Sequence, residues 1–150
     1  MLNKPTWIVI HCSASKGATL ESMRAFHVNV KGWDDVGYHI VIEESGAIRY
    51  GRPLWRAGAH ARGANDKTIG VCLAGPGDEP FTWAQEKALH SVCRALMISF
   101  NIPPTNVIGH REVPAHIPSA DPVNKSCPGV VLDMDEWRAI LMQPTFPGSV

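Results

Sequence analysis

His11, His110 and Cys127 stand far apart in the chain, yet each sits where a strand should end or a loop should begin. His11 follows the apolar run Trp7-Ile8-Val9-Ile10, His110 follows Val107-Ile108-Gly109, and Cys127 lies within Lys125-Ser126-Cys127-Pro128-Gly129. Two imidazoles and one thiolate suit Zn2+, and three protein ligands leave the fourth corner of a tetrahedral ion open to water. Such an ion would polarise a carbonyl and bring the pKa of its water down to about 7, which is the chemistry of hydrolysis.

Positioning these three groups is the task of the elements between them. Trp7 to Ile10 is short, apolar and β-branched and reads as a buried strand. Thr19 is placed to cap a helix reaching Val30, with Met23, Phe26 and Val30 on one face and Gly32 as its stop. Tyr38 to Ile42 reads as a strand, Glu44-Ser45-Gly46 as a turn, and Ala47 to Tyr50 as the hairpin partner. Strict alternation sends Tyr38, Ile40 and Ile42 to one face and His39 and Val41 to the other. Residues 51–67 read as a long loop, and such loops are usually functional. Thr68 to Ala74 is the next strand. Thr82-Trp83-Ala84-Gln85 fits a capping box that opens a helix to Phe100, and Ile102-Pro103-Pro104 stops it. Asn106 to Ile108 is a short strand, 111–126 a loop with three prolines, and Asp133 caps a last helix ending at Leu141, with Glu136 at the reciprocal position. The order predicts an α/β fold, a central mixed sheet of about five strands with helices on its faces. A single domain is expected, with its core over about 6–142 and a loose tail over 143–150.

The bulk numbers narrow the function. Lys plus Arg and Asp plus Glu are 14 each, a formal net charge of zero, which argues against nucleic-acid binding. The four cysteines form no C-x-x-C pair. Cys72 and Cys93 fall in apolar stretches as buried thiols, and a Cys12–Cys72 bridge is a minor alternative. No stretch approaches a membrane span, so no membrane insertion is expected. The first residues do not resemble an export signal, which points to synthesis in a cytoplasm. His27, His39 and His90 lie within periodic elements and read as packed histidines, and His116 as a loop residue. Trp83 and Trp137 sit on amphipathic helices and read as core. Trp33 and Trp55 flank the loops and are the candidate sugar-stacking residues.

Six phrases, in order, resemble the zinc-dependent N-acetylmuramoyl-L-alanine amidases that share a fold with peptidoglycan recognition proteins, nearest to the short single-domain phage lysozyme-amidases. They are Ile10-His11-Cys12-Ser13-Ala14, Asp35-Val36-Gly37-Tyr38-His39, Gly58-Ala59-His60-Ala61, Ile69-Gly70-Val71-Cys72-Leu73, Gly109-His110-Arg111-Glu112-Val113 and Lys125-Ser126-Cys127-Pro128-Gly129. The resemblance implies that His11, His110 and Cys127 hold one zinc per chain, that Tyr38 and Lys125 are catalytic, and that the region of His60 and Asn65 lines a groove for glycan and peptide. Some relatives carry Asp at the third ligand, with Lys two residues before it. The longer segment here offers His116 and Asp121, but position 119 is Ser119, whereas Lys125-x-Cys127-Pro128 keeps the spacing.

The implied reaction is hydrolysis of the amide between N-acetylmuramic acid and L-alanine in peptidoglycan, as a phage endolysin made in the host cytoplasm and reaching the wall after the membrane is opened. Lys125, two residues from a ligand, can offset the oxyanion, an effect typically worth about 3–4 kcal/mol. Tyr38, with an ordinary phenol pKa near 10, is a poor base at neutrality. It is assigned by position; no Glu in the matched phrases clearly supplies a general base, and Glu112 is the one candidate, with its direction not set by the sequence. The implied partner is peptidoglycan or a muropeptide, with a phage RNA polymerase as a second one, and a monomer is expected. Rival readings are a peptidoglycan-binding protein without catalysis and a cytosolic amidase recycling muropeptides.

Overall fold

The computed structural model describes residues 1–123 and 125–149. Asn124, inside the expected 111–126 loop, and Val150, at the end of the expected tail, lie outside the described residues. The strands are β1 (Trp7–Cys12), β2 (Ile40–Ile42), β3 (Ile48–Tyr50), β4 (Thr68–Leu73) and β5 (Val107–Gly109), and the helices are α1 (Leu20–Ala25), α2 (Trp83–Phe100), α3 (Val113–His116) and α4 (Met134–Leu141). The sheet order is β3-β2-β4-β1-β5. The β2–β3 hairpin is antiparallel and the β2–β4, β4–β1 and β1–β5 pairings are parallel, the mixed α/β sheet expected.

Alternation sorts the strands into two unlike faces. Ile8 and Ile10 of β1, Ile69, Val71 and Leu73 of β4, and Ile40 and Ile42 of β2 meet Leu89, Val92, Cys93 and Leu96 of α2 and Trp137 and Leu141 of α4. Both helices are capped as the sequence requires. Thr82 accepts from the Gln85 N–H while Gln85 returns the bond, and Asp133 accepts from the N–H groups of Asp135 and Glu136. The other face carries smaller clusters, Val9 and Ile108 with Ala61 and Ala64, and Val41 and Cys72 with Leu20 and Met23. His11 falls on this second face.

Several expectations are corrected. The helix expected to run to Val30 is α-helical only to Ala25. A wider π turn follows over Phe26–Val30, closed by the Lys31 N–H on the Phe26 carbonyl. An i→i+5 turn rotates later residues off the stripe. Phe26 and Val30 are therefore 49% and 70% exposed, and Leu20, Met23 and His27 are the buried side chains. The strand expected from Tyr38 begins only at Ile40, so Tyr38 packs beside Val41 and Cys72 instead of sharing a face with Ile40. Trp83, read as core, is 52% exposed because it lies off the Gln85-Leu89-Val92-Cys93-Leu96 stripe; its ring lies 6.1 Å from Phe146. Within 143–149, Phe146 is buried beside His90 and Trp137. The 111–126 loop includes the short helix α3, where Pro114 is tolerated because it falls in the first turn. All four cysteines are free, so the Cys12–Cys72 bridge is absent.

Candidate metal centre and catalytic cleft

β1 lies between β4 and β5, and its register sets His11 opposite Cys72. β5 pairs Ile108 with Val9 and ends at Gly109, so His110 leaves the sheet beside His11, with ring centroids 4.5 Å apart. Cys127 arrives from a distant loop that the residue after His110 ties down. The Arg111 N–H donates to the Cys127 carbonyl (2.9 Å), and its guanidinium donates to the carbonyls of Ser126 (3.0 Å), Gly129 (2.8 Å) and Leu132 (2.8 Å). Gly129, at φ +114°, abuts Gly77 so closely that a Cβ would lie 2.3 Å from the Gly77 carbonyl oxygen.

One ligand atom from each of His11, His110 and Cys127 lies within 4.8 Å of the others, and the Cys127 Sγ is 3.8 Å from the His11 Nδ1. A tetrahedral zinc with ordinary bond lengths needs nitrogen–sulfur edges of roughly 3.6 Å, so the donor set fits that ion in type and spacing. The other nitrogen of His11, Nε2, is 2.9 Å from the His60 Nδ1, the kind of outer partner that metal-bound imidazoles have. The Cys12 N–H points at the Cys127 Sγ (3.4 Å).

The electrostatics favour the neutral, ligand form of His11 and His110. Burial holds His11 well below its ordinary pKa, with His60 and His110 adding to the effect. His60 is lowered well below it by burial, then by His39 and His110, and His110 by burial, then by the Lys125 cation. Neutral imidazoles result, ready to bind a cation. The neighbouring thiols act on each other, bringing Cys12 down to about 6 and pushing Cys127 up, so a cation binding at Cys127 must displace its proton. Burial raises the Tyr38 phenol well above its usual value, and the nearby thiols raise it further. Tyr38 therefore stays protonated at neutral pH, and its ring centroid is 5.1 Å from that of His11.

Two clefts meet at this point. One of about 1060 Å³ passes His11, Tyr38 and Cys127, another of about 510 Å³ passes Asn65, Val113 and Val123, and Trp33, His60, His110 and Lys125 line both. Trp33 thus stands where a stacking residue could act. Asn65 lines the second cleft, but its Oδ1 is engaged by the N–H groups of His60 and Ala61 (2.9 Å each). Trp55 is not brought to the others: it is 65% exposed and lines neither cleft. His116 lies beside Trp7, and Asp121, in the lining of the second cleft, pairs with Arg62 (3.4 Å); neither belongs to the group of three ligand atoms. Glu112 is turned from the clefts, its carboxylate taken by the Gly109 N–H and the Arg138 guanidinium. Sequence reasoning placed His60 in the groove but missed its bond to His11, and missed Arg111 altogether. The adjacency of Arg111 to His110 was the one signal in the chain; the contact of His60 with His11 left none.

A family model described as N-acetylmuramoyl-L-alanine amidase matches residues 1–130. The endolysin of Escherichia phage T7 is 36% identical over 87% of this chain and 83% of its own. The endolysin of Klebsiella phage KP32 is 34% identical over the same shares of the two chains. Among solved structures, the N-acetylmuramoyl-L-alanine amidase LysC from Clostridium intestinale superposes with a TM-score of 0.82 at 29% identity, covering 93% of this chain and 87% of that one. Drosophila PGRP-LB superposes with a TM-score of 0.72 at 27% identity, covering 97% and 84%.

Proposed function

Since the chain belongs to the N-acetylmuramoyl-L-alanine amidase family and hydrolyses the amide between N-acetylmuramic acid and L-alanine in peptidoglycan, we propose that it does so at one zinc ion held by His11, His110 and Cys127. The convergence of three ligand atoms, from three separate segments, at the junction of two clefts carries this reading. When bound, zinc supplies a Lewis acid that polarises the scissile carbonyl and acidifies water.

The remaining work falls to the chain's own groups. The clefts give two arms to a substrate that is glycan on one side of the scissile bond and peptide on the other. Lys125, exposed at their junction, places an ammonium where the carbonyl oxygen becomes negative. Tyr38, kept protonated by burial, donates a hydrogen bond that orients the reacting water or carbonyl. The carbon–nitrogen bond breaks, the oxygen of water joins the carbonyl carbon, and the departing alanine nitrogen takes a proton. Trp33 offers an aromatic face along the path.

The biological setting of this reading is a phage endolysin, supported by the names of the phage relatives. It is made in the host cytoplasm and reaches the wall once another protein opens the membrane. No helix among the described residues is long and apolar enough to cross one. Digestion of purified sacculi followed by mass spectrometry tests the activity. Free L-alanine amino termini with intact glycan strands are expected; new reducing ends, or no cleavage, contradict it. Contact with a phage RNA polymerase is tested separately by pull-down with Cys127→Ser, and absence of a complex at micromolar concentration removes it.

A further inference from the structure

His60 touches a ligand instead of merely facing the groove, and the bonds beyond it fix the direction of every proton in the chain of contacts. The Thr68 Oγ1 lies 2.9 Å from the Ala64 carbonyl oxygen, which can only accept, so the single hydroxyl proton goes there. The same Oγ1 lies 3.1 Å from the His60 Nε2. With its proton already used, the hydroxyl must accept, so His60 carries its proton on Nε2 and its Nδ1 is a bare lone pair. That lone pair faces the His11 Nε2 at 2.9 Å, so His11 in turn must carry its proton on Nε2. The His11 Nδ1, 3.8 Å from the Cys127 Sγ, is left with its lone pair aimed at the ligand cluster.

We infer that His60 is a positioning residue, set by Thr68 and the Ala64 carbonyl, whose bond to His11 fixes the tautomer and ring orientation in which His11 offers Nδ1 to the metal. The rest of the structure holds His60 for this purpose. The Asn65 Oδ1 pins the His60 and Ala61 N–H groups, which fixes the loop. Gly70 of β4 lies under the ring, where a Cβ would come within 2.6 Å of it, and Gly58 leaves the same clearance on another side. Thr68 is itself fully buried at the start of β4. One rigid strand thus supplies both the floor under the imidazole and the acceptor that directs it.

This inference rests on the zinc reading for its purpose, though the tautomers themselves do not. Long-range nitrogen–proton NMR of the metal-free chain tests them directly. Both His11 and His60 are expected with the proton on Nε2, and a proton on Nδ1 of either ring overturns the inference. The second arm is zinc affinity by competition with a chelator. Thr68→Val keeps the shape and removes the acceptor, so affinity is expected to fall about 10-fold, and His60→Leu about 10–100-fold. Thr68→Ser restores the hydroxyl and is expected to bind as the natural chain does. Equal affinity in the Val and Ser variants overturns the inference. Failure of the natural chain itself to bind zinc refutes the metal reading and leaves the NMR result standing by itself.

Discussion

The two faces of the sheet are built on opposite rules. One is a continuous aliphatic layer, with Ile8, Ile10, Ile69, Val71 and Leu73 under α2 and α4. The other trades that layer for His11, Gly70, Cys72 and a set of loops and short helices, and breaks its apolar contacts into two small clusters. The aliphatic face supplies stability through buried area and dispersion. The polar face uses the rigidity so obtained to hold the three proposed ligands from separate segments, each backed by directional bonds: His60 behind His11, Arg111 behind Cys127, and strand β5 behind His110. Rigid packing and function are therefore separable by mutation, and the substitutions below try to break that division.

Removal of a ligand should have the largest effect on activity. His110→Ala is expected to lose bound zinc and bring amide cleavage to background while keeping the far-ultraviolet circular dichroism of the natural chain. Unfolding of this variant would show that the two faces are not independent. Lys125→Ala, at the exposed rim, should keep stoichiometric zinc and lower kcat roughly 10²–10³-fold, as loss of an oxyanion-stabilising group does; loss of the metal would refute its assigned role.

On the other face, Leu89→Ala should cost about 2–5 kcal/mol of unfolding free energy in denaturant titration, since Leu89 is fully buried against the sheet. Its kcat and zinc content per folded molecule should match those of the natural chain. A fall in kcat without a fall in stability would contradict the division.

How much of this was legible in the sequence follows the same line. The aliphatic face was readable because β1 and β2 carry the β-branched runs Ile8-Val9-Ile10 and Ile40-Val41-Ile42, and α2 carries a complete capping box at Thr82 and Gln85. The three proposed ligands could be singled out because each sits in a short distinctive phrase. What escaped lies where local geometry departs from regular periods. The π turn at Phe26–Val30 exposes residues that a 3.6-residue period would bury, and the break before Ile40 moves Tyr38 to the other face. His60 was visible as a groove residue, but its contact with His11 depends on Gly70 lying across the sheet, which spacing along the chain cannot show.

The histidines give the polar face a pH signature. Burial lowers His11, His27, His39 and His60 from the ordinary 6.5. Above that value folded and unfolded chains are equally unprotonated at these sites. As pH falls below it, the unfolded chain takes up protons that the folded one refuses, so the metal-free fold should lose stability between about 6.5 and the depressed values. Denaturant midpoints falling progressively below pH 6.5 are expected; midpoints flat from pH 7 to pH 5 would contradict the buried neutral histidines.

The smallest effect belongs to Trp55. It was a candidate for sugar stacking, but its ring stands outside both clefts. Trp55→Ala should shift stability by no more than about 0.5 kcal/mol and leave KM for solubilised murein unchanged, whereas Trp33→Ala should raise KM. Reversal of that order would move the substrate path to the other side of the 51–67 loop.

X-ray absorption at the zinc edge of the purified, zinc-loaded protein tests the central claim most directly. The account predicts a four-coordinate ion with two imidazole nitrogens at roughly 2.0 Å, one sulfur at about 2.3 Å and one light oxygen donor. A spectrum with no sulfur, or with two sulfurs drawn from both Cys12 and Cys127, would contradict it.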